Sequence, residues 1–376
     1  MSYQKLFDHK ISGEAAKSWR AEGKKAVGTL CCHIPVEILR AADVLPVRMR
    51  ATGCGDSTDA EVWMSALSCS FARGILQRWM DGTYELDGMI CSDGCMMPSR
   101  TFDNAQHINE KLGYGRYFQQ IGAPRVYNEM GIAYFKKELQ DLVEGLEKLS
   151  GNKVTDEKIK KFVSLYNEER ALVKEVMDLR RAKNPVISGE DALKITLAAC
   201  DIPVEEYIEL LKELLADAKN RTPIKDKRAR LMIIGSALDD PDYLKTVEDQ
   251  GAIFVADALC YQSMAFTGQC EIDDNDVLGS LADFYLKRLV CPRMLTCRDE
   301  LHAFILKACK DFAVDGIVYQ KMQYCECCGG ESLQLEKLLK EIDLPVLTVQ
   351  REEKHSNVGQ LAIRAEAFVE MVEKGE

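Results

Sequence analysis

The sequence predicts an α/β fold in which two parallel β-sheets, each covered by helices, flank a helix-rich middle segment. Strand and helix signals alternate from the N-terminus to about residue 127 and again from residue 228 onward, whereas the residues between them contain few candidate strands. Such alternation is typical of parallel sheets wrapped by helices. We therefore predict a first α/β domain over residues 1–127, a helical segment and linker over 128–227, and a second α/β domain over 228–376.

In the first domain, short apolar runs mark the strands. "AVGTLCC" (26–32) and "LPVRM" (45–49) have strand character and are separated by the helical "PVEILRAAD". "LDGMIC" (86–91) is a buried-strand pattern between two predicted helices, "SCSFARGILQRWMDGTY" and "PSRTFDNAQHINEKLG". "GYGRYFQQIG" (113–122) is a loose glycine pattern, which we interpret as a turn.

The middle segment is rich in charged, amphipathic helices. "TDEKIKKFVSLYNEERALVKEVMDLRRA" (155–182) repeats apolar residues at helical spacing, with Thr155 as a candidate N-cap. We expect its charged face to be solvated. "EEYIELLKELLADAK" (205–219) is a second such helix, and the basic "KNRTPIKDKRAR" after it is interpreted as a linker.

Strand signals return in the second domain, and one of them repeats a pattern from the first. The predicted strands are "RLMIIGSAL", "GAIFVADALC", "VDGIVYQKMQYC" and "LPVLTVQ", and a helix closes the chain. "LDGMICSDGC" and "VDGIVYQKMQYC" both read Asp-Gly, two apolar residues, then a turn that ends in Cys. Each pattern places its cysteine just past the carboxyl end of a parallel strand, the edge where open α/β sheets bind ligands. Two such edges facing each other would share one cleft.

Composition limits the classes of function. The chain of 376 residues has a net charge of −11 and no concentrated basic face, which argues against binding to nucleic acid or to an anionic membrane. The N-terminus lacks an apolar signal region, and no run approaches the ~18 apolar residues of a membrane span. We expect a cytoplasmic protein.

Fifteen cysteines are unusual for a protein of a reducing compartment. Cys200 and Cys309 lie on helical apolar faces, and we interpret them as core residues. The other thiols of interest cluster near loops, where soft ligands in a reducing compartment usually bind metal. They are Cys31 and Cys32, Cys69, Cys91 and Cys95, and Cys325, Cys327 and Cys328.

Two kinds of metal site remain open at this point. Cys91-x3-Cys95 and Cys325-x2-Cys328 have the spacing of zinc knuckles. A zinc site would leave Cys69 and the Cys31–Cys32 pair unexplained. Ligands scattered over so much of the chain favour an iron–sulfur site built between domains.

Several stretches resemble the 2-hydroxyacyl-CoA dehydratase / benzoyl-CoA reductase family. They are "CCHIPVEILRAADVLPVRM", "SCSFARG", "LDGMICSDGCMMPSRTFDN", "LYNEERALVKEV", "DALCYQS", "LADFYLKRLVCPRM", "QYC" and "GQLAIRAEAFVEM", and they span nearly the whole chain. The resemblance implies two flavodoxin-like (Rossmann-like) domains plus a helical segment, with an iron–sulfur cluster in the cleft between the domains. It also implies a separate ATP-hydrolysing activator that donates electrons at very low potential.

The resemblance also implies a ligand set. In that family three cysteines hold one [4Fe–4S] cluster, and they correspond here to Cys69, Cys95 and Cys325. The additional thiols are similar to a branch whose members carry a double-cubane [8Fe–9S] cluster held by six cysteines. Cys31 or Cys32, Cys91, and Cys328 or Cys327 would complete six.

The function that follows is a low-potential iron–sulfur reductase of small molecules, because a second cubane leaves less room for an acyl-CoA substrate. A [4Fe–4S] dehydratase subunit and a non-catalytic iron–sulfur carrier are the alternatives. The chain has no G-x-x-x-x-G-K-[ST] motif, so ATP hydrolysis is assigned to the activator. We also expect the protein to be a homodimer. His33 is the candidate proton shuttle. The charged residues near the ligand loops, namely Glu37, Arg73, Arg100 and Glu331, are interpreted as structural partners, and Asp257 as a possible cleft residue.

Overall fold

A computed structural model describes residues 1–8, 11, 13–288, 291–353 and 358–375, and it contains two four-stranded parallel sheets. The first consists of β1 (Lys25–Leu30), β2 (Val44–Arg48), β3 (Gly88–Ser92) and β4 (Tyr117–Ile121), in the order β2-β1-β3-β4. The second consists of β5 (Ala229–Gly235), β6 (Ala252–Ala258), β7 (Gly316–Met322) and β8 (Val346–Arg351), in the order β6-β5-β7-β8. Both sheets therefore have the same topology, and the predicted α/β class with two Rossmann-like sheets is confirmed.

Helices cover the sheets and fill the middle of the chain. Those of the first part are α1 (Lys5–Asp8), α2 (Glu14–Ala21), α3 (Val36–Ala41), α4 (Thr58–Glu61), α5 (Ser70–Met80) and α6 (Met96–Leu112). The middle holds α7 (Glu129–Ser150), α8 (Asp156–Asp178), α9 (Gly189–Ala198) and α10 (Val204–Asp217). The second part holds α11 (Pro241–Glu248), α12 (Val277–Lys287), α13 (Arg298–Asp311), α14 (Glu326–Glu341) and α15 (Val358–Lys374). In the described part of the chain, no helix is both long and apolar enough to cross a membrane.

The Asp-Gly repeat has the same structural role in both sheets. The Asp87 carboxylate accepts a hydrogen bond from the backbone N–H of Ala26 at 3.0 Å, and the Asp87 N–H donates to the Ala26 carbonyl at 2.8 Å. Asp315 makes the same two bonds with Arg230, both at 2.8 Å. Each aspartate thus ties the start of the third strand of its sheet to the start of the first. The two copies of the Asp-Gly repeat therefore occupy equivalent positions in the two sheets.

One predicted turn is a strand. Residues Tyr117–Ile121 form β4, the edge strand that pairs with β3 in parallel. The sequence did not indicate this strand for two reasons. Glycines precede it, and Gln119 and Gln120 interrupt its apolar pattern. Edge strands are partly exposed and so tolerate polar residues.

The middle helices contradict one expectation and confirm another. Thr155 caps α8 as predicted, its side chain accepting from the Lys158 N–H at 3.4 Å. The charged side of α8 is not uniformly solvated, however, because Glu169 and Arg170 are buried. Helix α3 of the first part packs against this face and supplies Glu37 as the ionic partner of Arg170. The predicted domain limits stay predictions.

Candidate metal centre

Three of the predicted ligands occupy the same kind of position. Cys69, Cys95 and Cys325 are the N-cap residues of α5, α6 and α14. The backbone N–H groups and the dipole at a helix N-terminus stabilise negative charge and so favour thiolates there. Cys95 follows the third strand of the first sheet, and Cys325 follows the third strand of the second. Equivalent loops of the two sheets thus each carry one such cysteine.

The structure brings these loops together. The Cys95 thiol lies close enough to Cys327, in the first turn of α14, for each to shift the pKa of the other. Cys69 interacts electrostatically with both Cys325 and Cys95. The carboxyl edges of the two sheets therefore meet at one shared group of thiols, as the sequence repeat predicts.

The thiols of this group act in pairs, in which the two sulfurs shift each other's pKa in opposite directions. The hydrogen bond with Cys328 lowers the pKa of Cys325 to about 6, and the bond with Cys95 lowers the pKa of Cys327 to about 7. The partners show the opposite shift, because the same bonds and burial raise the pKa values of Cys328 and Cys95. Two thiolates therefore form readily at neutral pH, and thiolates are the form that binds metal.

A second group of donors lies after β1. The Cys31 and Cys32 sulfurs and a His33 ring nitrogen lie within 4.8 Å of one another. The hydrogen bond with Cys32 lowers the pKa of Cys31, whereas the pKa of Cys32 is raised. Cys31 also has a positive φ of 103°, which is strained for a residue with a side chain.

The contacts of His33 define its tautomer. Its Nε2 lies 3.0 Å from Arg293 Nη1 and its Nδ1 lies 3.4 Å from Cys31 Sγ. Because a guanidinium can only donate, Nε2 accepts, and the ring proton is on Nδ1, directed at the sulfur. Burial lowers the pKa of His33, so the neutral ring is favoured. Both ring nitrogens are thus engaged, and the proposed shuttle role stays a prediction.

Cys91 differs from the other predicted ligands. It lies within β3, is fully buried, and its thiol donates to the Ser92 carbonyl at 3.1 Å. Burial raises its pKa. It interacts electrostatically with Cys31 but occupies a strand position rather than a helix start. Its role as a ligand stays a prediction.

Two further cysteines, which the sequence interpretation left without a role, adjoin the second group. Cys260 follows β6 and interacts electrostatically with Cys31, and Cys291 interacts with Cys31 and Cys260. A charge on Cys291 would also raise the pKa of Cys328, so Cys291 lies in the electrostatic surroundings of both Cys31 and the first turn of α14. Both lie in stretches that carry the family resemblance, "DALCYQS" and "LVCPRM". This resemblance is the sequence signal that could have identified both cysteines as candidate ligands.

Other predicted residues have structural roles. Glu37 pairs with Arg170 at 3.2 Å, and Glu331 contacts His302 at 2.6 Å. Asp257 forms a fully buried pair with Arg180 at 2.8 Å rather than a free cleft carboxylate. The remaining cations also pair locally, Arg73 with Glu61 and Arg100 with Asp103. Cys200 and Cys309 are buried in apolar clusters, as predicted.

The donor set fits a soft, polynuclear metal group. All fifteen cysteines lie among the described residues, and all are free. Within the described ranges, only Cys31, Cys32 and His33 form a trio of donors within 4.8 Å of one another. Cys69, Cys95 and Cys325 are spaced more widely, which suits several bridged ions better than one tetrahedral zinc ion. The site is compatible with an iron–sulfur group.

Comparison with known proteins is consistent with this geometry. The family model described as "2-hydroxyglutaryl-CoA dehydratase, D-component" matches residues 31–372. The (R)-2-hydroxyglutaryl-CoA dehydratase subunit beta of Acidaminococcus fermentans is 25% identical over 94% of this chain and 93% of its own length. A benzoyl-CoA reductase subunit of Thauera aromatica is 23% identical over 95% and 94%. The (R)-phenyllactyl-CoA dehydratase beta subunit of Clostridium sporogenes is 23% identical over 94% and 93%. The chain therefore belongs to the family of the 2-hydroxyglutaryl-CoA dehydratase D-component.

Proposed function

We propose that this protein is an iron–sulfur reductase of small molecules that receives low-potential electrons from an ATP-hydrolysing activator. The observation that carries the proposal is the proximity of two thiol groups, because Arg293 contacts His33, next to Cys32, and also lies against Gly94, next to Cys95. One group contains Cys69, Cys95 and Cys325 with their neighbours, and the other contains Cys31 and Cys32. This is more sulfur than one [4Fe–4S] cluster held by three cysteines requires, and it favours an [8Fe–9S] double cubane.

Six cysteines would hold such a group. Cys69, Cys95 and Cys325 would hold one half. The other half would use Cys31 or Cys32 and two further thiols. The candidates for those two are Cys91, Cys260, Cys291, Cys327 and Cys328. When bound, the group would supply electrons at low potential. Thiolate and sulfide ligands would lower its reduction potential, and nearby N–H donors would raise it.

Three arginines fasten the loops around the second thiol group. Arg48 Nη1 donates to the Cys260 carbonyl at 2.6 Å, and Arg288 Nη2 donates to the Cys32 carbonyl at 3.1 Å. Arg293 contacts His33 and donates to the Ala123 carbonyl. These bonds hold segments distant in sequence in one arrangement. Their positive charges also offset the negative charge of clustered thiolates.

An external electron donor needs access to the cysteine loops, and those loops expose apolar side chains. Leu67 precedes Cys69 by two residues, Met96 follows Cys95, and Tyr324 precedes Cys325; all three side chains are exposed. Exposed apolar groups at a functional edge are typical of docking surfaces. The activator is the partner we assign to this face. The expected homodimer stays a prediction that a native mass measurement decides.

A dehydratase subunit is the second candidate. It is favoured by the names of two of the relatives, which are dehydratase subunits aligned over nearly the whole chain. A dehydratase would eliminate water from a 2-hydroxyacyl thioester. A reductase would consume electrons in proportion to product, so the stoichiometry of reductant separates the two.

Anaerobic analysis of iron, sulfide and zinc per chain tests the proposal. We expect about eight irons with acid-labile sulfide, whereas about four would support the dehydratase-type subunit. Zinc without sulfide would contradict both. The same analysis of Cys91→Ser and Cys291→Ser separates the competing ligands, and we expect the larger iron loss in Cys291→Ser, because Cys291 is electrostatically coupled to Cys31 in one group and to Cys328 in the other.

A further inference from the structure

A cavity of about 100 Å³ adjoins the second thiol group. Cys31 and Cys32 line it together with Arg48, Arg288 and Glu169. One buried water needs roughly 10–15 Å³ by a comparable measure, so the cavity has room for a molecule of a few non-hydrogen atoms. Two candidate metal ligands and a glutamate therefore line the same cavity.

Glu169 is unusual among the residues that line this cavity. It comes from α8 and its residue is only 6% exposed. Among the described residues no hydrogen bond to its carboxyl oxygens is present, and these oxygens are not among the fully enclosed polar atoms without a partner, so they retain contact with open space. A buried carboxyl group without a hydrogen-bond partner is costly, so such groups usually have a function or a ligand.

The neighbouring arginine does not pair with Glu169. Arg170 Nη1 lies 3.2 Å from Glu37 and its Nη2 donates to the Asn167 side chain at 2.7 Å. The second Glu37 oxygen accepts from the Tyr285 hydroxyl at 2.6 Å. Glu37 is therefore the structural carboxylate of this region, and Glu169 is left facing the cavity without an ionic bond.

We propose that this cavity is the chamber in which a small substrate with a reducible bond meets the cysteine site, and that Glu169 is its proton donor. The proposal rests on the reductase function proposed above. The substrate class is a molecule of a few non-hydrogen atoms, and the catalytic side chain is that of Glu169.

The proton inventory of the reaction is simple. Hydroxylamine serves as the probe: its N–O bond breaks when it takes up two electrons and two protons, giving ammonia and water. The electrons come from the external low-potential reductant through the activator. The Glu169 carboxyl donates its O–H proton, becomes a carboxylate, and is reprotonated from solvent before it donates again.

The electrostatics of the chamber suit a proton donor. The pKa of Glu169 is raised to about 8, chiefly because the carboxyl group is buried; Arg170 and Arg288 act to lower it and Glu37 acts to raise it. A pKa near the working pH is optimal for a general acid. Tyr166 and Tyr285 also line the cavity, but burial raises their pKa values well above 10, so they are weaker acids. Tyr207 of α10 interacts electrostatically with Glu169 and is shifted in the same direction.

Glu169→Gln in the cluster-containing protein tests the assignment, because it removes the proton and preserves the shape. We expect unchanged iron content, unchanged reduction by activator and ATP, and a fall in kcat for hydroxylamine of about 100-fold or more with little change in KM. The wild-type rate should fall as the pH rises through about 8, and this limb should vanish in the variant. The matched control is Glu168→Gln, the adjacent residue, whose exposed carboxylate pairs with Lys212 at 3.0 Å.

Infrared titration gives a readout that does not depend on turnover. The wild type should show the carbonyl band of a protonated carboxylic acid that disappears with a midpoint near 8, and Glu169→Gln should lack this band. Buried Glu353, whose pKa is raised to about 7, should give a separate band that is present in both proteins. A Glu169→Gln protein that keeps its rate within a few-fold, or that keeps the band with a midpoint near 8, overturns the assignment of Glu169. A wild type that accepts electrons but leaves hydroxylamine unreduced instead contradicts the reductase and the substrate class together.

Discussion

The two sheets share one topology but differ at the carboxyl end of their first strands. The bonds of Asp87 with Ala26 and of Asp315 with Arg230 align β1 with β5, so that Cys31 corresponds to Gly235 and Cys32 to Ser236. Both first positions have a positive φ, 103° in Cys31 and 126° in Gly235. The second sheet has glycine where the backbone requires it, and the first sheet has cysteine instead.

The difference shows where a thiol is kept against conformational cost. A Cβ at Gly235 would clash with the backbone carbonyl of Gln320. Cys31 retains its Cβ at the equivalent position and carries backbone strain. Strain of this kind persists where surrounding contacts enforce it and is common at functional sites. The sulfur of Cys31 is the group that such a substitution gains.

The second sheet uses the corresponding position differently. Ser236, equivalent to Cys32, accepts from the Met322 N–H at 2.9 Å, and a hydrogen bond between Ser236 and Cys325 lowers the pKa of that thiol. The first sheet thus supplies thiols after its first strand, and the second supplies a hydroxyl that supports a thiol after its third. The candidate metal centre is asymmetric although its scaffold is a repeat.

The largest effect on iron content is expected at the N-cap cysteine that follows the third strand in each sheet. Cys95→Ser and Cys325→Ser should each lower the iron content by about half or more, since each removes an N-cap thiol of the shared group. Iron and sulfide analysis of anaerobically purified protein measures this. Cys54→Ser is the control, because Cys54 is buried and its thiol donates to the Asp56 carbonyl, a bond that serine can replace. Iron loss in only one of the two variants would show that the halves are not equivalent as ligand donors.

The next effect concerns the position at which the halves differ. Gly235→Ala should destabilise the metal-free protein by on the order of 3 kcal/mol or more, because a Cβ there meets the Gln320 backbone at a positive φ. Cys31→Gly should stabilise it by about 1 kcal/mol, because strain is relieved at a small entropic cost. Urea unfolding measures both. A Cys31→Gly protein that is less stable than the wild type would contradict the inference of strain.

The sequence predicted the sheets better than it predicted the site. Apolar runs and the Asp-Gly repeat locate most strands because buried parallel strands read as continuous apolar segments. The edge strand β4 was not predicted, because it is partly exposed and contains polar residues. The family resemblance predicts Cys69, Cys95 and Cys325 as ligands, and the structure brings the three residues near one another. Cys260 and Cys291 needed tertiary placement, because no local spacing connects them to Cys31.

Glu169 could not be found from the sequence for a related reason. On a helical pattern it belongs to the charged side of α8, and such sides are usually solvated. Its burial depends on α3, which lies in the first part of the chain and contributes Glu37 to the same region. Helical periodicity describes a helix and not the neighbour that covers it.

The smallest effect tests the repeated aspartates themselves. Asp87→Ala should cost about 2 kcal/mol in urea unfolding, because it removes a charged acceptor from the buried Ala26 N–H. Asp87 also pairs with Arg20 at 3.2 Å and with Lys25 at 3.5 Å, and its side chain is 13% exposed. Asp315→Ala should cost less than half as much, because Asp315 is exposed and water can replace the lost acceptor at Arg230. Equal losses in the two variants would mean that the shared hydrogen bonds to the first strand, rather than the surroundings of each carboxylate, determine its contribution to stability.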